Sequence, residues 1–406
     1  MPEAKSFDLH RLVADDGPLR MVLKARLRPV ADLDRFQPAG FPEIGHVIYD
    51  APRVDGKLEK VCIVDSAASM ANHLEAVCRA APHDPDAVAD LKGMPYLRCV
   101  TDAGWPDHKK EEHKKKPKQV VVTSLTEGHR IASTYFLGER VKGKGNELDT
   151  IRGQRVTGDQ LPSETFGEQL ARECGVLAGL GKRAHPPADA WWTVFSTIFR
   201  YDPNALVHGV LFPQWQIKIP RMLTAHLEAF GAGRVDRSGV KFDRLGKTTS
   251  GQPIFAVDDA TAGEIRATFV LDLALLRSFG RKESGNDSER YLGLNDKQKR
   301  FLLALALWKI GRLLRGPFRY RSGCDLECVE ACWDNGDARA ALSEIAISQH
   351  IADAAFPEQA TTDIYWPAGE LYRADEDKKD GDEEGGPKET GGGEDEDADE
   401  EANEED

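Results

Sequence analysis

The carboxyl-terminal stretch from Ala374 to Asp406 constrains the fold of this chain most, because it cannot contribute to a packed core. It contains eighteen Asp or Glu residues and three lysines, and its glycines are interspersed without apolar periodicity. A segment of this composition cannot bury enough apolar surface to offset the entropy of ordering. We therefore predict a disordered acidic tail over residues 374–406, so the fold must come from residues 1–373.

The tail also changes what the net charge implies. The whole chain has a formal charge of −14, but the tail holds eighteen of its 68 acidic residues and only three of its 54 basic residues. Residues 1–373 are therefore close to neutral, and the acidity does not exclude a nucleic-acid-binding body. Two roles for the tail remain open: a solubilising segment, or a polyanion that competes with nucleic acid for basic surfaces.

The sequence predicts a soluble cytoplasmic protein. Its longest apolar run, Phe301 to Leu314, is interrupted by Lys309 and Arg312 and is too short to span a bilayer. The amino terminus lacks the apolar core of a signal peptide. Seven cysteines at irregular spacing fit reduced thiols better than a disulfide framework.

No motif in the sequence predicts catalysis, a cofactor or a metal. Walker, GxGxxG, HExxH and GxSxG patterns are absent, and so is the RNP signature of single RNA-recognition modules. Cys324, Cys328 and Cys332 recur every fourth residue and would form a stripe on a helix. Because this spacing lacks the paired knuckles of zinc sites, buried apolar side chains are favoured over a metal site.

The segment from Met21 to Arg28 is predicted to be a half-buried strand, because its side chains alternate strictly between two faces. One face is apolar and carries Met21, Leu23, Ala25 and Leu27. The other face carries three basic side chains, Lys24, Arg26 and Arg28.

Two helix starts are predicted from capping residues. Ser66 is the expected N-cap of a helix whose buried stripe is Met70, Leu74, Val77 and Cys78. Ser124 and Glu127 form a Ser-x-x-Glu capping box, which predicts a second helix running towards Tyr135.

Four further elements complete the predicted structure. Apolar runs predict buried strands at Ala205–Phe212 and Ala267–Leu276, and periodicity predicts helices at Pro220–Phe230 and Asn295–Leu314. His208 falls within the first of these strands and is expected to be a core or sheet-face histidine. Strands and helices without regular alternation indicate an α+β fold with long insertions.

Two polar segments are predicted to be insertions. His108 to Lys118 contains six lysines and no apolar residue, and Gly138 to Thr165 is polar, basic and punctuated by glycine. Both are compatible with solvated loops. Both are equally compatible with flexible fingers that neutralise phosphate, which needs positive charge and an adaptable backbone.

Five segments resemble one known family in the same order along the chain. The sequence is similar to the CRISPR-associated RAMP-superfamily backbone subunit of type I-U (I-G) Cascade over residues 20–330. The similar segments are Arg35–Pro42, Val64–Glu75, Ser124–Ser133, Asn204–Phe212 and Arg319–Leu326.

The resemblance implies a modified RRM-like (ferredoxin-like) palm within residues 1–373, with finger and thumb insertions near 100–120 and 138–165. It implies a non-catalytic subunit that polymerises along CRISPR RNA and holds the guide open for pairing with target DNA. The implied partners are CRISPR RNA, target DNA, other copies of this chain and other Cascade subunits. No cofactor and no membrane are implied.

The predicted RNA contacts centre on one helix start and the loop before it. Ser66 and Ser69 lie in the first turn of the predicted helix, where free amides and the positive end of the dipole attract phosphate. Arg35 and Gln37 on the preceding loop are candidates for phosphate and sugar contacts. Asn72 lies one turn further along.

Four more basic residues are weaker candidates for RNA contacts. The family pattern leads us to expect an arginine after Asn72, but this chain has His73, which makes a phosphate contact there less favourable. Arg130 in the second predicted helix is a candidate, or else an ordinary surface arginine. The basic face of the first strand supplies Lys24, Arg26 and Arg28.

Two other functions are compatible with the sequence. Backbone subunits of type III effector complexes cut target RNA with a loop aspartate, and Asp32 and Asp34 are available in the corresponding region. The third function is a protein-interaction scaffold with a polyanionic tail that carries no nucleic acid.

Overall fold

A computed structural model describes residues 6–40, 45–101, 119–141, 150–157, 161–176, 185–235, 258–283, 290–333, 336–358 and 360–367. The lysine-rich segment His108–Lys118 and the acidic tail from Ala374 lie outside the described residues, and the segment Gly138–Thr165 is described in part.

Strands make up much of the described chain. In chain order they are β1 Arg20–Pro29, β2 Ile48–Pro52, β3 Leu58–Asp65, β4 Tyr96–Thr101, β5 Gln119–Thr123, β6 Glu139–Val141, β7 Thr150–Arg152, β8 Gln154–Arg155, β9 Val210–Phe212, β10 Ile217–Ile219, β11 Leu223–Phe230, β12 Gly233–Val235, β13 Asp259–Thr261, β14 Glu264–Asp272, β15 Gly280–Lys282, β16 Tyr291–Gly293, β17 Phe318–Arg321, β18 Cys324–Trp333, β19 Gly336–Asp337 and β20 Thr361–Tyr365.

Most of the helices are short, and α8 is the longest in the described residues. In chain order they are α1 Leu9–Val13, α2 Ala67–Ala76, α3 Thr134–Leu137, α4 Phe166–Glu173, α5 Trp191–Tyr201, α6 Pro203–His208, α7 Leu273–Ser278, α8 Asp296–Leu314, α9 Ala338–Ser343 and α10 Ile347–Ala354.

The main sheet contains a ferredoxin-like palm. Its strand order is β17-β18-β1-β14-β11-β3-β2, and β19 pairs with β18. Within it, six elements occur along the chain in the order βαββαβ: β1, α2, β11, β14, α8 and β18. In the sheet, the four strands lie in the order β18-β1-β14-β11, and each neighbouring pair is antiparallel. This is the split βαβ arrangement. The predicted α+β class and RRM-like palm are confirmed.

Strand β1 lies at the centre of the palm and forms as predicted. Met21, Leu23, Ala25 and Leu27 are at most 5 % exposed, while the alternate side chains face solvent. It pairs with β14 on one edge and β18 on the other, with a register shift between Arg26 and Leu27 on the β18 side. A central strand with one buried face requires this alternation.

The two palm helices pack against each other, and α2 also packs on β11. In α2 the predicted stripe is buried, with Met70, Leu74 and Cys78 at most 1 % exposed. Helix α8 begins at the predicted Asn295, which forms a capping box with Gln298. Because α8 is covered by several other helices, its apolar residues occupy almost every face of it.

The long connection between α2 and β11 carries a second sheet with the order β5-β4-β20-β8. Strand β20 comes from the far end of the described chain and pairs parallel to β4. Both predicted insertions, near 100–120 and 138–165, fall within this connection. No described helix is long and apolar enough to cross a membrane.

The helix predicted from Ser124 to Tyr135 is wrong. The hydroxyl of Ser124 accepts a hydrogen bond from the Leu97 amide instead of capping a helix, and Glu127 bonds to His129. Arg130 adopts a positive φ of 54°, which interrupts a helical path. Two short helical turns replace the helix, a 3-10 turn at Arg130–Ala132 and α3.

The strand predicted at Ala205–Phe212 is a helix over its first half. Helix α6 ends at His208, and Gly209 with a φ of 81° turns the chain into β9. A side chain at Gly209 would meet the Ile219 carbonyl oxygen at 2.9 Å, so only glycine fits this turn. Because α6 is buried on all sides, an apolar run did not distinguish it from a strand.

Two further predictions need correction. The helix predicted at Pro220–Phe230 is strand β11, which pairs with both β14 and β3. The strand predicted at Ala267–Leu276 ends at Asp272, whose side chain caps α7 by accepting the Leu275 amide. In both cases tertiary pairing or a cap decides the local structure.

The three cysteines spaced by four residues lie on strand β18, so they do not form a helical stripe. Cys324 is buried, Cys328 is half-buried and Cys332 is exposed. The prediction of buried apolar side chains therefore holds for Cys324 alone. The described residues contain no group of three or more His, Cys, Asp or Glu that could hold a metal ion.

Candidate nucleic-acid interface

Helix α2 begins at the predicted residue. Strand β3 ends at Asp65, and Ser66 takes an extended conformation whose hydroxyl accepts the Ser69 amide at 3.2 Å. The hydroxyl of Ser66 can still donate its own hydrogen, because a hydroxyl has one donor and two acceptor sites. Within the described residues, the amides of Ala67 and Ala68 have no hydrogen-bond partner. The start of α2 therefore presents up to three donors.

A buried carboxylate lies beside this helix start. Asp65 Oδ1 accepts the Ser66 amide at 2.9 Å, and its Oδ2 accepts the Ser69 hydroxyl at 3.1 Å and His73 Nε2 at 2.8 Å. Arg321 Nη2 lies 2.9 Å from Oδ1. Burial alone would raise the pKa of Asp65, but the hydrogen bond from His73 and the charge of Arg321 outweigh burial and lower it.

This cluster changes the roles expected of two residues. The Ser69 hydroxyl already donates to Asp65, so it holds the helix start in place. His73 donates to the same carboxylate, and its ring lies edge-on to the rings of Phe318 and Tyr320. Asn72 is exposed on the opposite side of the α2 surface from the buried Met70 stripe. Both Asn72 and the Ser66 hydroxyl are accessible to a ligand.

The loop before α2 runs past the end of β3. The amide of Gln37 donates to the Gly323 carbonyl at 2.8 Å, and the amide of Ala39 donates to the Val64 carbonyl at 2.9 Å. Gln37 is half-buried. Arg35 lies further back on the loop and is 60 % exposed, with Nε 3.6 Å from Asp259 Oδ2. Gln37 therefore contacts the β17–β18 turn, whereas Arg35 lies beside β13.

A basic pocket adjoins the first turn of α2. It has a volume of about 310 Å³ and lies between the turn at Gly128–Arg130 and the hairpin of β9 and β10. The basic residues among its lining are His129, Arg130, His208, Lys218 and Arg221, and the lining contains no carboxylate. Arg221 Nη1 donates to the Ala67 carbonyl at 3.1 Å, which connects the pocket to the start of α2.

His208 is a lining residue of this pocket with a neutral, almost fully buried ring. It is 1 % exposed, and burial, followed by the charge of Lys309, lowers its pKa well below the usual value, so the ring is neutral. Lys309 Nζ lies 3.0 Å from Nε2 and can only donate, so the ring proton resides on Nδ1. Nδ1 is buried without a partner in the described residues.

Arg130 occupies the interior and not the surface expected from sequence. It is 6 % exposed, and its Nε and Nη2 donate to Glu75 at 2.6 and 2.7 Å. Nη1 donates to the carbonyls of Gly128 and Gly209 at 3.2 Å each. These bonds fix the turn and the hairpin of the basic pocket against α2, so Arg130 supports the pocket from behind.

The network continues from Glu75 to helix α8. Asn204 Nδ2 donates to Glu75 Oε1 at 2.6 Å, and Lys309 Nζ donates to Asn204 Oδ1. Helices α2, α6 and α8 are therefore joined by buried charge-assisted hydrogen bonds. Such networks hold their members in one arrangement, because an unpaired partner would be costly.

The basic face of β1 is exposed but largely paired. Arg26 Nε lies 3.1 Å from Glu330 Oε1, and Arg28 lies 2.7 Å from Glu327 and 3.1 Å from Asp32. Lys24 is exposed and has no ion pair within the described residues. These cross-strand pairs lower the net positive charge of the sheet face.

The two loop aspartates considered for RNA cleavage lie apart from the basic pocket residues. Asp32 has a positive φ of 53° and pairs with Arg28. Asp34 is exposed, and its carbonyl accepts the hydroxyl of Thr261 at 2.7 Å.

Sequence reasoning missed Lys218 and Arg221. Lys218 alternates with the buried Ile217 and Ile219 in β10, and this short alternation was a usable strand signal. Arg221 was assigned to a helix that begins at Pro220, which hid its position between two strands. The approach of the hairpin to α2 depends on tertiary contacts that no local pattern reports.

The chain matches one known family model. The model of a family described as CRISPR-associated protein GSU0053 (Cas_GSU0053) matches residues 21–234, more than half of the chain. The match extends from β1 through α2, the β9–β10 hairpin and β11. A search of curated proteins finds no match.

Proposed function

Because the chain belongs to the family of CRISPR-associated protein GSU0053, we propose that it is a non-catalytic RNA-binding backbone subunit of a type I-U (I-G) Cascade complex. In this function it polymerises along the CRISPR RNA in the cytoplasm and supports pairing of the guide with target DNA. Its partners are CRISPR RNA, target DNA, further copies of itself and other Cascade subunits.

The basic pocket beside α2 carries this proposal. A phosphate there would meet the side chains of Lys218 and Arg221, with no carboxylate in the pocket lining. Arg221 also joins the pocket to the start of α2, where the positive end of the helix dipole attracts anions. The amides of Ala67 and Ala68 are unpaired within the described residues, so they can donate to phosphate oxygens without losing existing bonds. Contacts of this kind hold a nucleic-acid backbone and read no sequence.

The palm supports the same proposal. A ferredoxin-like sheet with two helices behind it is the scaffold expected from the resemblance of five segments to Cascade backbone subunits. The nearly neutral body and the salt-bridged face of β1 favour local phosphate contacts over a single extended basic surface.

The test is a comparison of RNA binding by two matched variants of the full chain. Lys218→Gln with Arg221→Gln removes two charges from the basic pocket, and we expect single-stranded RNA of guide length to bind about tenfold more weakly or worse. Lys92→Gln removes one exposed charge that does not line the pocket and should leave binding within about twofold.

The measurement is fluorescence anisotropy with labelled RNA, alongside a melting curve for each variant. Unchanged RNA affinity in the double variant with an intact melting curve would refute this pocket as the interface.

A further inference from the structure

A second basic pocket lies at the opposite end of α2. It has a volume of about 610 Å³ and is bounded by the carboxyl-terminal ends of α2 and α8 and by strand β17. Its lining includes four arginines together with His73 and Phe318: Arg79, Arg312, Arg315 and Arg319. We call it the arginine pocket. None of its lining residues carries a carboxylate.

Two of the four guanidinium groups are already compensated. Arg312 Nε donates to the Val77 carbonyl at 3.0 Å, and its Nη1 lies 3.6 Å from Asp90 Oδ2. Arg319 Nε lies 2.8 Å from Asp325 Oδ1. These two arginines therefore already have structural partners.

The other two have no carboxylate partner within the described residues. Arg315 is exposed just beyond the end of α8, and no hydrogen bond or ion pair is found for it there. Arg79 Nη1 donates to the Pro82 carbonyl, while its Nε is buried without a partner. A buried, unpaired guanidinium nitrogen is costly unless a ligand satisfies it.

The carboxyl-terminal ends of α2 and α8 explain part of the clustering of arginines in this pocket, because the partial negative charge of a helix end attracts cations. That attraction is satisfied by Arg312, which bonds directly to the last turn of α2. The attraction to the helix ends does not account for the unpaired Nε of Arg79 or for the guanidinium group of Arg315, which has no partner within the described residues. An anion with several acceptor oxygens would pair with both.

We propose that the arginine pocket binds the phosphate group of a nucleotide unit, either within a nucleic-acid strand or in a free phosphorylated molecule. The planar guanidinium group of arginine matches two phosphate oxygens at once, and Arg79 and Arg315 both line this pocket. The apolar walls formed by Ala76, Ala80 and Phe318 suit the sugar or base better than a bare inorganic ion does.

This pocket is separate from the basic pocket at the start of α2. The two pockets share no lining residue. The inference depends on the lining of the arginine pocket alone. It holds whether or not the basic pocket binds RNA.

The test uses the full chain with Arg79→Gln and Arg315→Gln combined. Lys297→Gln is the matched control, because Lys297 is exposed at the other end of α8. Binding of pyrophosphate is measured by calorimetry and binding of guide-length single-stranded RNA by anisotropy. We expect the double variant to lose about tenfold in affinity for at least one probe, and the control to keep both affinities.

The two probes separate the sources of the phosphate. Loss of RNA affinity alone identifies a strand phosphate, and loss of pyrophosphate affinity identifies a free ligand. Equal affinities of wild type and double variant for both probes would overturn the proposal. The single variant Arg315→Gln changes one exposed side chain, so it keeps the test valid if the double variant fails to fold.

Discussion

At the scale of single residues, the buried pair of Arg130 and Glu75 contributes most to holding the basic pocket against α2. Both side chains are at most 8 % exposed, and they share two short hydrogen bonds. Replacing Arg130 by Met leaves the Glu75 carboxylate buried with Asn204 as its remaining partner. Removing one member of a buried pair costs about 3–5 kcal/mol, because the other charge stays desolvated.

We expect Arg130→Met to lower the free energy of unfolding by that amount in chemical denaturation. The control is Arg172→Met, which breaks the exposed ion pair with Glu164 and should cost less than about 1 kcal/mol. Similar losses of unfolding free energy in the two variants would show that the buried ion pair contributes no more to stability than the exposed one.

Asp202 gives the protein a titratable group in its core. It is fully buried, and burial, followed by the charge of Glu75, raises its pKa to about 7. The folded state therefore holds this proton more tightly than the unfolded chain does. The resulting stability is fully present below about pH 4 and is lost as the pH rises through about 7.

Asp202→Asn removes this titration and keeps an oxygen that can accept the Ile131 amide. We compare the difference in melting temperature, variant minus wild type, across pH. We expect this difference to increase as the pH is raised from about 4 to about 7 and to stay constant above about pH 7. Melting curves over that range measure it. A difference that does not depend on pH would contradict the raised pKa.

Residues whose roles are local were predictable, and residues whose roles depend on distant contacts were not. Ser66 caps α2 as expected, because a serine before a helical stripe is a local signal. Arg130 was expected at the surface, yet its partners are more than 50 positions away along the chain. The proposed contacts of Arg35, Gln37 and Asn72 with RNA stay predictions.

At the scale of elements, the start of α2 is the part of the interface most open to a direct test. Ser66→Asp keeps a good N-cap but places a carboxylate where we propose that phosphate binds. Combined with Arg35→Ala, it should weaken RNA binding by at least about two- to fivefold, measured by anisotropy.

Asn295→Asp is the control for this variant, because it adds the same charge to the N-cap of α8. It should leave RNA affinity unchanged. If both N-cap substitutions weakened RNA binding equally, the loss would be explained by the added negative charge alone. The proposed phosphate site at the start of α2 would then be contradicted.

Among the predicted elements, β1 formed as expected, whereas α6 and β11 did not. Strand β1 shows a clean alternation because one side of it meets solvent. Strand β11 also alternates apolar and polar residues from Leu223 to Ala229, and the helix predicted from Pro220 overlooked this signal. Helix α6 is buried on all sides, so its apolar run carries no distinct period. The long helix α8 is an exception, because its capping residue and its length together identified it.

At the scale of the whole molecule, the acidic stretch from Ala374 to Asp406 is expected to act on the basic surfaces of its own body. A tethered polyanion competes at high local concentration for the sites that bind phosphate. Truncation after Tyr372 should therefore raise binding to random single-stranded nucleic acid at low salt. The difference should shrink as salt screens the charges.

Filter binding of full-length and truncated protein over a salt series measures this effect. Equal binding of the two forms at low salt would leave the segment with a solubilising role alone.

The family assignment follows from segments spread over the palm and its insertions, and it confirms the resemblance at the level of a CRISPR-associated protein. The sequence also predicted the palm, because the order of its strands and helices follows from the family. The position of the basic pocket was not predictable, since it forms where the β9–β10 hairpin meets the turn at Gly128–Arg130, which is distant in sequence.

The most direct test of sequence-independent backbone binding is a titration of two unrelated guide-length RNAs against the full chain over a range of salt concentrations. We predict equal dissociation constants for the two RNAs at each salt concentration. We also predict that the logarithm of affinity falls linearly with the logarithm of salt, by about 0.7 for each phosphate neutralised. With Lys218 and Arg221 each neutralising one phosphate, the slope should be about −1.4 or steeper. A flat salt dependence, or a strong preference for one RNA sequence, would contradict this function.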